Sequence, residues 1–459
     1  MNTRIEFDPD LINRYDLSGP RYTSYPTAVQ FHDGFAETEY LAAIDASNRA
    51  DRPLSLYIHL PFCGVVCYYC ACNKIITANR KRAAPYLDDL HREIELQAAR
   101  FTPGREVRQL HWGGGTPTFI SDDEMSALMG KLRECFTLLG NDEGDYSIEI
   151  DPREVTPAKI RHLRDLGFNR MSFGVQDFEP QVQKAVNRIQ SVEETFSAVE
   201  AARDCGFKSI NIDLIYGLPF QTVESFARTL DKVLELSPDR LSVFNYAHLP
   251  EMFKVQRQMD AATLPTPAVK LAILQYVIER LTAAGYVYIG MDHFAKPDDE
   301  LALAQEHGTL YRNFQGYSTH AGCDLIGLGI TSIGMVDDTY SQNVKTLEEY
   351  HACVSEGRLP VYRGVALTED DKLRRAVITD LICHFRIDKA AIRHAWGVDF
   401  DRYFAAELEP LRQMADDGLL VMTDDMITVQ PRGRLMIRNV CMVFDIYLQH
   451  SRQRFSRVL

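Results

Sequence analysis

The 459-residue sequence lacks the features that would assign it to a membrane or to the secretory pathway. No uninterrupted apolar run reaches the roughly 18–20 residues that a membrane-spanning helix needs. The opening segment Met1–Glu6 is rich in charged and polar residues and has no basic-then-apolar run typical of a signal peptide. We therefore expect a cytoplasmic protein that makes no membrane contact.

Basic residues are scarce relative to acidic ones, with 50 Lys and Arg against 64 Asp and Glu and a net charge of −14. A general nucleic-acid binder needs a basic surface that displaces counterions from phosphates. The acidic balance therefore argues against a nucleic-acid partner. It leaves room for an anionic small substrate, because a pocket can be locally basic on an acidic protein.

The ten cysteines do not form the framework of a small disulfide-rich protein. Six are scattered and are expected to be buried small side chains. Cys63, Cys67 and Cys70 have the spacing C-x3-C-x2-C, and three thiolates on one loop can bind three irons of a cubane cluster while the fourth iron stays open. A structural zinc site with Cys72 as fourth ligand is the alternative.

From about residue 54, short β-rich runs alternate with amphipathic helical stretches such as Pro85–Arg100. Thr156-Pro157 is a helix start, and Leu166-Gly167 is a helix stop. This alternation predicts an α/β protein with parallel strands in a full or partial (β/α) barrel. The candidate strands are Leu54–Leu60, Val107–Trp112, Tyr146–Ile150, Arg170–Gly174, Ser209–Ile215, Leu241–Tyr246 and Val287–Met291.

The alternation stops near residue 345, where a smaller, mainly helical C-terminal domain is predicted. Its elements are the helices Leu347–Val354, Glu369–Leu381, Ile387–Trp396 and Phe400–Asp417, a hairpin of Leu419–Met422 and Met426–Val429, and a closing helix Arg432–Ser451. The predicted domains are an N-terminal arm over 1–50, a barrel over 51–344 and the helical domain over 345–459. The last has a winged-helix character, but the acidic balance favours a lid or packing role over DNA binding.

Polar and glycine-rich segments follow the predicted strands at their carboxyl ends. The cysteine loop follows the first strand, Gly113–Pro117 follows the second, and Glu149 ends the third. Further along the chain, Gln176, Asp213 and Ala247 occupy the corresponding places. Because active sites of such barrels lie at the carboxyl ends of the strands, we expect these residues to form one site.

The cysteine loop resembles the signature of the radical S-adenosylmethionine (SAM) superfamily, in which an aromatic residue, here Tyr69, precedes the third cysteine. Over nearly its whole length the sequence also resembles the oxygen-independent coproporphyrinogen III oxidase family. Two departures are Tyr69, where the family often has phenylalanine, and Ser318–Cys323, which has no close match. The segments that carry the resemblance are Gly19–Thr27, Tyr57–Cys63, Cys70–Lys74, His111–Thr118, Asn211–Pro219, Phe244–Pro250, Gly290–Phe294 and Arg312–Tyr317.

The resemblance implies a barrel of the radical SAM type, a 4Fe–4S cluster on Cys63, Cys67 and Cys70, and a SAM molecule on the open iron. Contacts to that SAM are implied for Tyr57, Gly114 and Glu149. The family is unusual in having a second SAM site. The residues implied for it are Tyr69, Gly115, Thr116, Gln176, Arg188, Asp213, Ala247 and Ile333.

The implied reaction is oxidative decarboxylation of two propionates of coproporphyrinogen III to vinyl groups, by a 5′-deoxyadenosyl radical, giving protoporphyrinogen IX for haem biosynthesis. A tetracarboxylate substrate needs basic anchors, and Arg21 and Arg312 are the candidates. Tyr57 and His59 lie two residues apart on one strand, share a face, and are the candidate catalytic groups. An electron donor of unknown identity and a monomeric state are expected.

Two other functions compete with this prediction. A related haem-handling protein would keep the cluster cysteines but bind and transfer haem; Cys72 and the segment Arg21–Thr27 favour the enzyme over it. A redox sensor would use the cluster structurally and the C-terminal domain on DNA. The glycines and polar residues gathered after successive strands argue against the sensor.

Overall fold

The computed structural model describes residues 5–140 and 142–448. Its strands are β1 (Leu54–Leu60), β2 (Phe62–Cys63), β3 (Ile75–Ile76), β4 (Glu106–Gly114), β5 (Thr137–Leu138), β6 (Asp145–Ile150), β7 (Arg170–Gln176), β8 (Ser209–Tyr216), β9 (Arg240–Asn245), β10 (Val287–Gly290), β11 (His293–Ala295), β12 (Tyr311–Asn313), β13 (Gly316–Ser318), β14 (Asp324–Leu328), β15 (Ile333–Val336), β16 (Thr339–Asn343), β17 (Val361–Ala366), β18 (Arg386–Asp388), β19 (Leu420–Met422) and β20 (Met426–Val429).

The α-helices are α1 (Pro9–Arg14), α2 (Glu37–Ala50), α3 (Ala84–Ala98), α4 (Asp122–Cys135), α5 (Pro157–Asp165), α6 (Pro180–Ala185), α7 (Val192–Asp204), α8 (Val223–Leu236), α9 (Pro267–Ala283), α10 (Glu300–His307), α11 (Leu347–Ser355), α12 (Glu369–His384), α13 (Lys389–Trp396), α14 (Phe400–Tyr403), α15 (Leu408–Asp416) and α16 (Ile437–Val443). None of the described helices combines the length and apolar character that a membrane crossing requires.

The chain forms two compact units, each assembled from separate stretches of sequence. The barrel unit comprises the described residues of 30–265 and 322–366, and the helical unit those of 1–29, 266–321 and 367–459. This division follows spatial contact and differs from the three consecutive ranges predicted from the sequence. The difference arises because α2, α11 and β17 join the barrel unit, whereas residues 266–321 leave it.

One sheet organises the barrel unit, with the strand order β9-β8-β7-β6-β4-β1-β14-β15-β16-β17. The pairs from β9 through β14 are parallel. The strands β15, β16 and β17 extend the sheet in antiparallel pairs. Since the order of these described strands is linear, the predicted barrel is a partial one.

Helices connect the parallel strands and begin where the sequence provides caps. Thr156 accepts a hydrogen bond from the Lys159 N–H at 3.2 Å and places Pro157 in the first turn of α5, as predicted. Ser121 and Ser191 form capping boxes with glutamates three residues later, at the starts of α4 and α7. Such caps pair backbone N–H groups that have no partner inside the helix.

Strand β1 shows how alternation positions the site. Leu56, Ile58 and Leu60 are at most 1% exposed, whereas Tyr57 and His59 lie on the opposite face. The first six of the seven predicted strands are confirmed within about two residues of their predicted ends, as β1, β4, β6, β7, β8 and β9. The predicted strand Val287–Met291 forms as β10, but it is one arm of an antiparallel hairpin with β11 in the helical unit.

The C-terminal predictions are confirmed in part. The hairpin forms as β19 and β20, and β18 adds a third strand where the first residues of a helix were predicted. The predicted helix Phe400–Asp417 is broken into α14 and α15. Of the predicted closing helix, α16 forms over Ile437–Val443, and the last part of the prediction lies outside the described residues.

Candidate active site

A pocket in the barrel unit opens at the carboxyl ends of the parallel strands. Its wall combines the cysteine loop, the glycines after β4 and polar side chains from β6, β7 and β8. The lining residues are Cys63, Val65, Cys67, Tyr69, Cys70, Cys72, Lys74, Gly114, Gly115, Thr116, Pro117, Glu149, Ile150, Asp151, Ser172, Gly174, Gln176, Arg188 and Asp213. Carboxyl ends of neighbouring parallel strands meet at one edge, so residues far apart in sequence converge there.

The cysteine loop is anchored by protein groups other than its sulfurs. At its base, Phe62–Cys63 pairs with Ile75–Ile76 in a two-residue parallel ladder. Within the loop, the Tyr68 N–H donates to the Val186 carbonyl at 2.9 Å. Tyr68 and Tyr69 also pack against an apolar cluster of the barrel unit that includes Val186. The backbone and aromatic side chains therefore determine where the sulfurs lie.

Two of the three cluster cysteines receive hydrogen bonds from the pocket wall. Thr116 Oγ1 donates to Cys63 Sγ at 3.6 Å, and Arg188 Nη1 donates to Cys67 Sγ at 3.4 Å. Burial raises the pKa of Cys63 to about 11. The pKa of Cys70 is lowered, first by a hydrogen bond with Cys72 and then by the nearby Lys74 ammonium.

The donor set fits a cubane cluster better than a single metal ion. Within the described residues, no three Cys, His, Asp or Glu side chains converge on one ion position. In a 4Fe–4S cluster each cysteine binds a separate iron, so the sulfurs stand apart at three corners. The hydrogen bonds to Cys63 and Cys67 are also of the kind that stabilise thiolate sulfurs in such clusters.

The glycine strip, Gly113–Gly115 at the end of β4, brings bare backbone against two neighbouring segments. Gly114 has φ +112°, a conformation that side chains rarely adopt, and a Cβ there would lie 2.7 Å from the His59 ring. A Cβ on Gly115 would lie 2.7 Å from the Phe62 carbonyl oxygen. Only glycine allows this strand to pass so close to β1 and the cysteine loop while exposing its backbone to the pocket.

Glu149 ends β6 and accepts hydrogen bonds from two directions. The Gly114 N–H lies 3.2 Å from Oε2, and His111 Nε2 lies 3.4 Å from Oε1. Burial opposes ionisation, but the His111 interactions and the Gly114 N–H outweigh it, so the pKa of Glu149 is lowered. Although protein surrounds the carboxylate, 45% of the side chain stays exposed at the pocket. It can therefore accept further bonds from a cationic ligand group.

Tyr57 and His59 form a hydrogen-bonded pair on the inner face of β1, as their spacing predicted. Tyr57 OH lies 3.1 Å from His59 Nδ1, and His59 Nε2 lies 3.2 Å from the Asn73 carbonyl. Because the carbonyl can only accept, this geometry favours an Nε2–H tautomer with Nδ1 accepting from the tyrosine. Burial lowers the pKa of His59, which favours the same neutral form.

Asp213 lies on β8 at the inner end of the pocket. Its carboxylate accepts hydrogen bonds from the Ser172 hydroxyl and the Asn211 amide, each at 2.8 Å. Burial is the largest influence and raises the pKa of Asp213. Nearby, Gln176 has φ +68°, which turns the chain sharply at the end of β7. Polar groups thus face the pocket from two adjacent strands.

Two predicted site residues of the barrel unit, Ala247 and Ile333, do not line the pocket but are linked to it through neighbouring residues. Gln256, 1% exposed, donates from Nε2 to the carbonyls of Tyr69 at 3.3 Å and Ala247 at 3.4 Å. Ile333 begins β15 against Gly327, which is paired with Tyr57 in the sheet. Both residues therefore border elements that carry predicted SAM contacts.

The predicted site residues divide into three groups by position. The first lines the pocket, the second lies elsewhere in the barrel unit, and the third lies in the helical unit. The pocket group is Cys63, Cys67, Cys70, Tyr69, Gly114, Gly115, Thr116, Glu149, Gln176, Arg188 and Asp213; the second is Tyr57, His59, Ala247 and Ile333; the third is Arg21 and Arg312.

Sequence reasoning missed several residues that the site contains. Asp151 follows β6 directly. The expectation that site residues lie at the carboxyl ends of the parallel strands, which identified Glu149, could therefore have identified Asp151 as well. Ser172, Gly174 and Gln176 are each two residues apart on β7, so they share one face of the strand. Once Gln176 is assigned to the pocket, the other two are expected to face it as well. Gln256 gave no local signal, because it lies in a short 3-10 turn after β9.

Comparison with known proteins agrees with this geometry. A sequence model of the radical SAM superfamily matches residues 57–233, and one of the HemN C-terminal domain matches residues 367–436. Oxygen-independent coproporphyrinogen III oxidases from Pseudomonas aeruginosa and Escherichia coli are 56% and 52% identical over 456 and 458 residues, with 99% of each chain covered.

A solved structure is similar throughout. Coproporphyrinogen III oxidase (HemN) from Escherichia coli, described as a radical SAM enzyme, superposes with a TM-score of 0.92 at 51% identity, covering 97% of this chain and 100% of that one. The predicted fold class and resemblance are therefore confirmed. Since identity of this level extends over both units, the chain belongs to the oxygen-independent coproporphyrinogen III oxidase family of radical SAM enzymes.

Proposed function

We propose that this protein oxidatively decarboxylates two propionate side chains of coproporphyrinogen III to vinyl groups, giving protoporphyrinogen IX in anaerobic haem biosynthesis. The observation that carries the proposal is the pocket itself, in which the cysteine loop meets the glycine strip and Glu149. Family membership over the full chain supports the same substrate. The enzyme is a radical SAM oxidoreductase.

Cys63, Cys67 and Cys70 would hold the 4Fe–4S cluster of the family. When bound, the reduced cluster and SAM would supply a 5′-deoxyadenosyl radical able to take a hydrogen atom from the β-carbon of a propionate, and loss of carbon dioxide and of one electron to an acceptor would then leave the vinyl group. The protein's part is to orient these groups and to exclude water and oxygen from a reactive carbon radical. The partly buried Tyr69 and the apolar cluster behind it provide part of that exclusion.

The first SAM would be held by backbone and carboxylate groups beside the cysteine loop. The exposed part of Glu149 can bind an ammonium group, since its carboxylate offers oxygen acceptors at the pocket wall, and the Gly114 N–H holds that carboxylate in place. Tyr57 and His59 would support the wall from β1 as a neutral pair. We propose that this pair positions the reacting groups and does not transfer a proton, because both ring nitrogens of His59 already have partners, the Tyr57 hydroxyl and the Asn73 carbonyl.

A second SAM would occupy the remainder of the pocket. The proposed contacts are Tyr69, Gly115, Thr116, Gln176, Arg188, Asp213, Ala247 and Ile333. Supporting this proposal, Asp213 and Gln176 contribute further polar groups to the pocket wall.

The substrate's carboxylates would need cationic partners, and Arg312 in the helical unit is the better supported of the two candidates. It is 8% exposed, and its Nε and Nη1 have no hydrogen-bond partner among the described residues. Its guanidinium lies 4.6 Å from the centre of the Tyr317 ring. Arg312 also lies near two other guanidiniums. Burial first, and then the charges of Arg21 and Arg312, lower the pKa of Arg438 to about 10. This group of positive charges is suited to an anionic ligand.

Arg21 is less well suited to the same role. It forms an ion pair with Asp292 at 2.7 Å, and its side chain is 35% exposed. A carboxylate ligand would therefore compete with an existing partner. The monomeric state, the cytoplasmic location and an external electron donor stay predictions from the sequence.

Anaerobic turnover tests the function directly. The cluster is reconstituted in the full chain, and SAM, a reductant and coproporphyrinogen III are added. Protoporphyrinogen IX and 5′-deoxyadenosine should appear together, and Cys67→Ala should abolish both while Cys205→Ala leaves both unchanged. SAM cleavage without any change to the porphyrinogen, combined with tight haem binding, would instead identify a haem-handling relative.

A further inference from the structure

A cluster of charged side chains lies beside Cys67. It consists of Asp151, Arg153 and Arg188, all in the barrel unit. Arg188 is a predicted SAM contact, whereas neither the family resemblance nor a motif assigns a role to Asp151 or Arg153. We infer that Arg153, held in place by Asp151, donates to the Cys67 sulfur and raises the reduction potential of the cluster bound there.

Asp151 begins the short 3-10 turn Pro152–Glu154 directly after β6 and fixes Arg153 in two ways. Its Oδ1 accepts from the Arg153 backbone N–H at 3.1 Å and from Nε at 2.9 Å. Its Oδ2 accepts from Arg153 Nη2 at 2.7 Å. The side-chain contacts form a bidentate fork, which restricts the guanidinium to one orientation.

In that orientation the same Nη2 that donates to Asp151 also faces a ligand of the cluster. Arg153 Nη2 lies 3.8 Å from Cys67 Sγ. Arg188 Nη1 approaches the same sulfur at 3.4 Å and also donates to Asp151 Oδ2 at 3.0 Å. The other end of Arg188 donates to the Gly174 carbonyl. One carboxylate thus aligns two guanidiniums on one sulfur.

The charges in this cluster do not cancel. Two guanidiniums face one carboxylate, which leaves one net positive charge against the sulfur. The Asp151 and Arg188 side chains are 9% and 8% exposed, and that of Arg153 is 17% exposed. With little water between them, this charge acts on the sulfur more strongly than a surface charge would.

Reduction adds one electron to the cluster and makes it more negative. Hydrogen bonds to ligand sulfurs and nearby positive charge stabilise the more negative state, and both are known determinants of cluster potential. Arg153 supplies both and makes no contact with the glycine strip or Glu149 among the described residues. Its role is therefore that of a positioning residue for the electron-transfer step, and it rests on the cluster binding at Cys63, Cys67 and Cys70.

The test is an EPR-monitored redox titration of the reconstituted holoenzyme without substrate. In Arg153→Met the equilibrium constant for cluster reduction should fall about tenfold, a shift of about 59 mV to more negative potential for a one-electron couple. Arg153→Lys, which keeps the charge but loses the fork, should shift the potential less. Arg164→Met is the matched control, because it also removes an arginine from a bidentate pair, with Asp142, that does not reach the pocket; its potential should equal that of the wild type.

Asp151→Asn tests whether the carboxylate aims the guanidinium at the sulfur. This variant loses the fork, so Arg153→Met should shift the potential less in an Asp151→Asn background than in the wild-type background. A wild-type potential in Arg153→Met at full iron content would overturn the inference, and an undiminished shift in the Asp151→Asn background would overturn the positioning by Asp151. If Arg153→Met does not retain iron, Arg153→Gln is titrated in its place, and a wild-type potential there is equally decisive. Iron content and potential are read without turnover, so failure to decarboxylate coproporphyrinogen is a distinguishable result.

Discussion

Buried guanidiniums occur in both units, but their surroundings differ. In the barrel unit, Arg105 is 1% exposed in its side chain and pairs with Asp324 at 3.0 Å, and Arg188 pairs with Asp151 at 3.0 Å. In the helical unit, Arg374 pairs with Asp370 and Glu407, each at 2.8 Å, whereas the equally buried Arg312 contacts an aromatic ring and no described carboxylate. A buried charge without an internal counter-ion is costly, so its persistence points to an anion that the protein does not itself supply.

The largest expected effect comes from breaking a pair in the barrel unit. Arg105→Met leaves Asp324, 2% exposed, with only the more distant Arg52 at 3.8 Å as a cationic partner. We expect a loss of about 3–5 kcal/mol in the free energy of unfolding, because an uncompensated buried charge remains. Urea unfolding of the full chain measures it. A loss below about 1 kcal/mol would mean that Arg52 moves in to replace it.

Glu93 extends the comparison to a buried acid without a cation. It is 0% exposed and accepts from the Gly329 N–H, Asn343 Nδ2 and the Tyr350 hydroxyl at 2.5–2.7 Å. Burial nonetheless raises its pKa to about 7 from an ordinary 4.5. The folded state therefore binds this proton more tightly than the unfolded state, and stability falls as pH rises from about 4.5 to about 7.

This linkage amounts to about 3 kcal/mol at its full extent. Glu93→Gln cannot ionise, so its free energy of unfolding should lose this part of the pH dependence even if the variant is less stable overall. Urea unfolding at a series of pH values between 5 and 8 gives both curves. Parallel curves for the two proteins would show that Glu93 does not carry the linkage.

Arg312→Met should separate binding from stability. No described carboxylate loses a partner, so the free energy of unfolding should change by less than about 1 kcal/mol. Loss of a charged hydrogen bond to a propionate, worth about 1.5–3 kcal/mol, should raise KM for coproporphyrinogen III about tenfold to hundredfold. Steady-state kinetics under anaerobic conditions measure it, and Arg312→Lys should recover part of the loss. An unchanged KM would remove Arg312 from the substrate site.

Arg21→Met should have the smallest effect. The Arg21–Asp292 pair is partly exposed, and such pairs contribute about 0–1 kcal/mol. Stability should change within that range and KM by less than about fivefold. A KM increase equal to that of Arg312→Met would show that both arginines bind the substrate and would restore the sequence-based prediction in full.

The sequence specified the parallel strands well, because their apolar runs and the caps of the following helices give consistent local signals. It missed β14–β17, of which β14 and β16 are buried at every position and so show no alternation of apolar and polar residues. The place of β14 in the sheet depends on a partner more than 200 residues away, as in the pairing of Leu54 with Asp324, and β15–β17 follow from β14. Long-range pairing of this kind leaves no mark in a local window.

The site was predictable where strand ends provide a rule. Glu149, Gln176 and Asp213 converge because parallel strands share one edge. Arg153 and Gln256 were not predictable, since each acts through hydrogen bonds across elements distant in sequence. The helical unit's boundaries were equally inaccessible, because the unit collects three separated stretches of chain.

The two-residue ladder between Phe62–Cys63 and Ile75–Ile76 has a consequence for the order of cofactor assembly. It closes the base of the cysteine loop with backbone hydrogen bonds, and the Tyr68 N–H tethers the middle of the loop. None of these contacts involves a sulfur. The polypeptide can therefore complete its fold first and then receive iron and sulfide as a late step of maturation.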